Sequence, residues 1–228
     1  MKLRKGRREL NKEDKLRRIM GAARLLFVTK GFDETSTREI ASAAGVAQAT
    51  LFLYAADKRD LLFLTVNDEL ELVSYRAREA AKPDAPFLDN LNMALGVVYD
   101  FFGRERELAR LVLREMTFYE AGAQGKRFSQ TRDRMISLCC EISRMAQERG
   151  EIGRTFDHVR VGAVVFAIFQ IEVRKWLAGR PTNLDDGLRH LRDALEILVT
   201  GLSPAADALR LPRSAPGLRN RRTALPAK

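Results

Sequence analysis

Gln48, Ala49 and Thr50 follow one another in a short polar segment, and together they carry groups that read the edges of base pairs. A glutamine amide can bond an adenine edge in two-pronged fashion, and the methyl groups of alanine and threonine can meet the methyl of thymine. Catalytic chemistry has far less to stand on. His158 and His190 are the only histidines, and neither belongs to an H-x-x-x-H or H-E-x-x-H pattern that would hold a metal. The chain has no phosphate loop and no G-x-G-x-x-G after a strand. Cys139 and Cys140, adjacent inside a helical stretch, read as small apolar residues rather than nucleophiles. No enzyme, no metal site and no cofactor is expected.

The elements that would position Gln48 are legible. Ser36 followed by Glu39 is a capping box, which starts a helix at Thr37. Ile40, Ala41 and Ala44 give that helix an apolar stripe, and Gly45 supplies the positive φ that stops it. Val46 fills the corner, and Gln48 to Tyr54 form a second helix too short to stand without packing. The pair, about residues 36–54, is a helix-turn-helix, whose second helix lies in the DNA major groove. A preceding helix from just after Asn11 to Lys30 buries Leu16, Ile19, Met20, Ala23, Leu26 and Phe27 and ends at Gly31. Asp57 with Asp60 opens a long fourth helix, apolar at Leu61, Leu62, Leu64, Val66, Leu70 and Val73, which runs to about Ala81 before Pro83 and Pro86.

Ile19 to Leu62 resembles the DNA-binding domain of the TetR (tetracycline-repressor-type) regulators. The residues that carry the likeness are Ala22-Ala23, Leu26-Phe27, Gly31, Thr35-Ser36, Ile40-Ala41, Ala44-Gly45-Val46, Thr50-Leu51-Phe52, Tyr54 and Lys58. The resemblance implies DNA contacts from Thr37, Arg38, Gln48, Ala49, Thr50, Phe52, Leu53, Tyr54 and Lys58. Of these, Arg38 and Gln48 suit bases, and Thr37, Thr50, Tyr54 and Lys58 suit the phosphate backbone. Tyr54 also reads as a core aromatic. Three positions depart from the pattern. Ala47 replaces a capping serine, at a cost of about 1 kcal/mol. Phe52 lacks the usual hydroxyl, and Ala55 leaves space for another side chain, such as Phe32, to fill.

Charge is unevenly placed around this segment. The net charge is +10, with nine Lys or Arg against three acids in residues 1–20 and six against one in residues 204–228. A basic flank beside a helix-turn-helix suits phosphate, since each neutralised phosphate releases condensed counterion. The first ten residues are therefore read as a basic arm, and residues 204–228, rich in Pro, Arg and Ala, as a disordered tail. With no apolar stretch after the charged opening and no run long enough to span a bilayer, a cytoplasmic, nucleoid-associated protein without membrane contact is expected. The two cysteines suggest a reducing compartment.

Beyond Pro86 the periodicity predicts five more helices and no strands, giving an all-α, nine-helix chain. Residues 11–62 would form the helix-turn-helix domain and residues 63–203 a helical effector-binding and dimerisation domain. Two stretches carry the oligomer signal. One contains Val161, Val164, Val165 and Ile168, and the other repeats Leu184, Leu188, Leu191, Leu195 and Leu198. The pattern alone is also that of a monomer core, but the resemblance implies that these two helices pair into a four-helix bundle across a two-fold axis. A homodimer would present two recognition helices to a palindromic operator in double-stranded DNA.

Tyr75, Asn92, Met93, Tyr99, Met116, Met135, Phe166, Phe169, Gln170 and Glu172 are candidate linings for a small apolar or amphipathic effector. Aromatic and methionine stripes at helical spacing read first as core, and only the resemblance turns them towards a pocket. The expected function is a ligand-released repressor. The alternatives are an architectural chromosome-binding protein with the same head but no effector, and a small helical enzyme whose basic ends are incidental.

Overall fold

The computed structural model describes residues 6–117, 119, 121–179 and 183–201. Among them are ten helices and no strands: α1 (Arg7–Thr29), α2 (Thr37–Ala43), α3 (Gln48–Leu51), α4 (Lys58–Leu64), α5 (Asn67–Ala80), α6 (Phe87–Arg104), α7 (Arg106–Glu115), α8 (Gly122–Glu148), α9 (His158–Ala178) and α10 (Leu184–Gly201). Helices α1 to α4 make a small head, and α5 to α10 a larger body. The expected arm at residues 1–5, the end of the leucine series at Leu202 and the basic tail lie outside the described residues.

The tenth helix arises because the long fourth one breaks at Thr65–Val66. Two β-branched residues in succession crowd a helix. Thr65 also turns its hydroxyl back onto the Leu62 carbonyl at 2.7 Å, and Val66 tightens the backbone by donating to Phe63. Asn67, 1% exposed, then donates its side-chain amide to the Gln124 carbonyl and side-chain oxygen in α8. The chain is thereby re-aimed before α5 starts.

The head closes on Ile19, Ala23, Phe27, Ile40, Leu51, Leu61 and Leu62, each at most 1% exposed. The capping box forms as the sequence predicts, Ser36 and Glu39 exchanging side-chain and backbone bonds. The Lys30 ammonium, together with those bonds, holds the Glu39 carboxyl down at about 2. Gly31 and Gly45 take φ values of 97° and 62°. Arg18 of α1 reaches across to the Ala44 carbonyl at 2.9 Å, so the turn of the helix-turn-helix is tied to the first helix. Phe32 packs against Phe27, with ring centroids 5.3 Å apart. Helix α1 begins at Arg7 rather than after Asn11, with Gly6 as an N-cap that makes no side-chain bond.

In the body, α8 and α9 lie against each other along their lengths, and α6 and α10 pack beside them. The close approach depends on one glycine: a Cβ at Gly162 would overlap the backbone of Cys140 in α8. Gly162→Ala must push the two helices apart, with an expected loss of about 1–3 kcal/mol. Thermal unfolding followed by circular dichroism should show a midpoint several degrees lower.

Candidate nucleic-acid interface and cavity

The nine residues assigned to DNA contact cluster at one end of the head. Arg38, Gln48, Ala49, Phe52 and Leu53 are exposed, and Thr37, Thr50, Tyr54 and Lys58 are half-buried. Gln48 donates its amide to the Thr37 hydroxyl at 3.1 Å, a bond that fixes the side chain's direction while leaving its carbonyl free. Leu51 beneath them is fully buried, as a residue anchoring this short helix to α2 must be. Ala47 makes no side-chain cap, so the first amides of α3 face solvent with their donors available.

Two of the expected backbone contacts carry internal duties. Lys58 donates to the carbonyls of Phe32 and Asp33 at 2.8 and 3.2 Å and sits 4.5 Å from the Phe32 ring centroid, so two of its three donors are spent within the head. The Tyr54 hydroxyl donates to the Lys12 carbonyl at 3.3 Å. Phe52 and Leu53, 46% and 81% exposed, hold hydrocarbon out beyond the recognition helix.

The head meets the body through Asp60. This carboxylate, 1% exposed, accepts from the Ala56 amide at 2.9 Å with one oxygen. With the other it accepts from the Gln124 and Gly125 amides, at 2.8 and 2.9 Å. Its own amide donates to Asp57, which also accepts from the Tyr119 hydroxyl at 2.8 Å. Burial and these two carboxylates push the Tyr119 hydroxyl well above its ordinary pKa. Gly122, at φ 73°, leaves room for the Asp60 carboxylate where a Cβ would collide with it. Arg59 reaches the buried Glu115 at 2.7 Å, and Arg114 pairs with Asp33 at 3.1 Å.

Beside this junction an apolar cavity of about 300 Å3 opens between α1, α5, α6 and α7. Val66, Leu70, Val73, Val97, Phe101, Phe102, Leu108, Ala109 and Val112 form its wall, and Arg24, Arg76 and Arg104 stand among its lining with Glu69, Asp100 and Glu105. Arg104 pairs with Asp100 of its own helix, whereas Arg76 is exposed and has no ion-pair partner among the described residues. Such a lining suits a molecule with a hydrocarbon portion and an anionic end.

None of the ten expected effector residues lies in this wall. Tyr99 is fully buried between Phe169 and Trp176, with centroids 5.9 and 5.1 Å away, and burial raises its hydroxyl pKa. Met116, Met135 and Phe166 are also buried, while Met93 and Tyr75 point outward, Tyr75 lying under the Arg134 guanidinium. Gln170 accepts from Arg174, Glu172 pairs with Lys175, and Asn92 is half-buried. The cavity is bounded instead by aliphatic residues of α5, α6 and α7 together with Phe101 and Phe102. Phe118, a further aromatic of the same stripe, lies outside the described residues.

Of the expected interface residues, Val161, Val165, Leu191 and Leu195 are at most 3% exposed inside the single chain. They are core residues here, because α9 and α10 turn these sides towards α8 and α6. Ile168, Leu184, Leu188 and Leu198 are half-buried, and Val164 is 40% exposed. The outward side of α9 carries Ala163, Val164, Ala167, Ile168 and Ile171. Cys139 is buried, which pushes its thiol up to about 12. Among the described residues no group of three or more His, Cys, Asp or Glu side chains forms a metal cluster, and no helix is long and apolar enough to cross a membrane.

Residues 19–64 match the family described as bacterial regulatory proteins, tetR family. The fatty acid metabolism regulator protein of Bacillus subtilis (strain 168) is 22% identical over 191 residues, which cover 84% of this chain and 97% of that protein. Two solved structures share the fold. One is the fatty acid degradation regulator FadR from Bacillus halodurans, with a TM-score of 0.63, 18% identity, and coverage of 85% of this chain and 96% of that one. The other is Thermus thermophilus FadR, a repressor in complex with lauroyl-CoA, with a TM-score of 0.62, 24% identity, and coverage of 89% and 100%.

Asp60→Asn, nearly equal in volume, turns one accepting oxygen into a donor that faces an amide. Each amide left without an acceptor is expected to cost about 1–3 kcal/mol. The remaining oxygen keeps the two bonds from Gln124 and Gly125 and the new donor faces the Ala56 amide, so hydrogen exchange should find Ala56 unprotected in the variant and protected in the parent.

Proposed function

We propose that this chain, whose N-terminal domain belongs to the TetR family of transcriptional regulators, represses by holding a palindromic operator as a homodimer and lets go when a fatty acyl-coenzyme A occupies the cavity between α1, α5, α6 and α7. The family and its relatives are regulators of transcription, not enzymes. The observation that carries the effector reading is the lining of the cavity: an apolar interior next to the head, with Arg76 at its edge, unpaired among the described residues, and Arg24 and Arg104 held beside it by Glu69, Glu105 and Asp100. A fatty acyl chain matches the interior and the phosphates of coenzyme A match the cation at its edge. That one relative is described in complex with lauroyl-CoA and another with stearoyl-CoA supports the same ligand class.

The operator reading rests on the exposed Arg38, Gln48 and Ala49, with a free amide carbonyl on Gln48 and uncapped amides at the start of α3. The dimer reading rests on the outward face of α9, where Ala163 and Ala167 allow close approach and Val164, Ile168 and Ile171 supply apolar area. Lys58 braces the loop before the recognition helices, so its part in DNA binding is to set their pose with one donor left for phosphate.

The test is to select bound sites from random duplexes and then titrate the best site with palmitoyl-CoA, using free coenzyme A as control. A palindrome released by the acyl thioester, with operator affinity falling about 10-fold or more, fits a typical allosteric coupling of about 1–3 kcal/mol. Dispersed binding that no acyl thioester relieves would favour an architectural chromosome protein. On the selected site, Gln48→Ala should lose about 1–3 kcal/mol at one base position and relax preference there. For the dimer, Ile171→Glu should leave a folded monomer in sedimentation experiments. Leu195→Glu should unfold the chain instead, because it buries a charge inside the subunit.

A further inference from the structure

We infer that Arg24 is the sensor that reports the state of the cavity to the DNA-reading head; the inference rests on that cavity being the effector site. Arg24 belongs to α1, yet its guanidinium faces the cavity. There it is gripped by two carboxylates at once. Its Nε and Nη2 donate to Glu105 at 2.8 and 2.5 Å, and its Nη1 and Nη2 donate to Glu69 at 3.0 and 3.3 Å. The bonds from the two carboxylates raise the already high pKa of the guanidinium further, with the Glu105 bond as the leading cause.

The two acids stand on opposite walls. Glu69 is in the first turn of α5, and Glu105 is the non-helical residue, φ −135° and ψ 69°, at which α6 gives way to α7. A planar guanidinium has a fixed fork, so it holds both carboxylates only while they stay a set distance apart. A hydrocarbon chain lodged between α5 and α6–α7 spreads those walls, and an anionic end beside Arg76 competes for Arg24 itself. Either event frees the head at α1. Once Arg24 leaves, Glu69 and Glu105 face each other as like charges, which favours the open arrangement.

The rest of the junction gives the freed head an axis. Asp60 is buried and bonded to α8 through two amides, whereas the Arg24 cluster is between a quarter and a half exposed. A buried, fully bonded carboxylate is costly to pull away, and an exposed ion cluster is not. The head therefore has a durable pivot at α4 and a releasable catch at α1. Rotation about such a pivot re-aims the recognition helix without unfolding anything.

Three variants test this: Glu105→Gln, Arg24→Gln and the conservative Arg24→Lys, each first checked for parental helicity and oligomeric state. Operator affinity without added acyl-CoA should fall at least 10-fold in Arg24→Gln, although the cluster holding Arg24 lies where the head meets the body. The double variant Arg24→Gln/Glu105→Gln should lose no more than the worse single one. In calorimetry Glu105→Gln should bind palmitoyl-CoA several-fold more tightly than the parent, since the ligand no longer competes with that carboxylate. The factor by which palmitoyl-CoA weakens operator binding should shrink towards one in Arg24→Gln and fall partway in Arg24→Lys. Parental operator affinity and a parental release factor in Arg24→Gln would overturn the sensor role. Ala109→Trp, which fills the cavity, separates the two readings. If it abolishes palmitoyl-CoA binding while the Arg24 and Glu105 variants behave as the parent, only the sensor falls. If palmitoyl-CoA binds Ala109→Trp as it binds the parent, the cavity is not the effector site and the sensor falls with it.

Discussion

A single buried carboxylate organises this molecule. Asp60 closes the loop that leads into α4 by accepting from Ala56, and caps the first turn of α8 by accepting from Gln124 and Gly125. Helix N-termini present unpaired amides and a partial positive charge, so a carboxylate is the natural group to place there. What is unusual is that the cap comes from 64 residues upstream. The longest helix of the body therefore takes its N-terminal cap from the head, while α4 keeps its own cap in Asp57.

Around that fixed point the remaining polar contacts differ in kind. Arg59 with Glu115, Arg114 with Asp33 and Tyr119 with Asp57 gather near Asp60 and draw the same two surfaces together. Arg24 stands apart, on the first helix and against the cavity. Phe63 of α4 also packs on Tyr119 and Phe128 at the same junction, so apolar contact and polar bonds together hold the head at α4, whereas at Arg24 it is held by charge pairs. This division leaves the head firm at one contact and adjustable at the other. The break at Thr65–Val66 serves the same end. A straight helix from Asp57 to Ala81 would carry any tilt through whole, but here the chain is re-aimed by Thr65 and pinned by Asn67.

Local rules made much of the head readable. Ser36 with Glu39, Gly31 and Gly45 each act within a few residues of themselves, and the structure uses each as its spacing implies. The start of α8 was not readable in this way. No side chain near Gly122 in the sequence marks a helix start; the cap is Asp60, and only the tertiary fold brings it there. The same reason hid the split of the fourth helix, since the pull on Asn67 comes from Gln124. The cavity was hidden for another reason. A sequence shows which side chains are large, such as Tyr99, Phe166 and Phe169, but a void is made where side chains of separate helices fail to meet. Arg24 reads from sequence as one more exposed helical cation, and its two carboxylates are 45 and 81 residues away.

Phe52 and Leu53 bear on how this head would contact a duplex. Beside Ala49 they place three hydrocarbon groups where many recognition surfaces place hydroxyls and amides. Contacts of that type drive water from apolar surface rather than release ions, and their mark is a negative heat-capacity change on association. Association at this surface should therefore strengthen on warming through the lower part of the physiological range, and should persist at salt concentrations that strip a purely phosphate-bound protein.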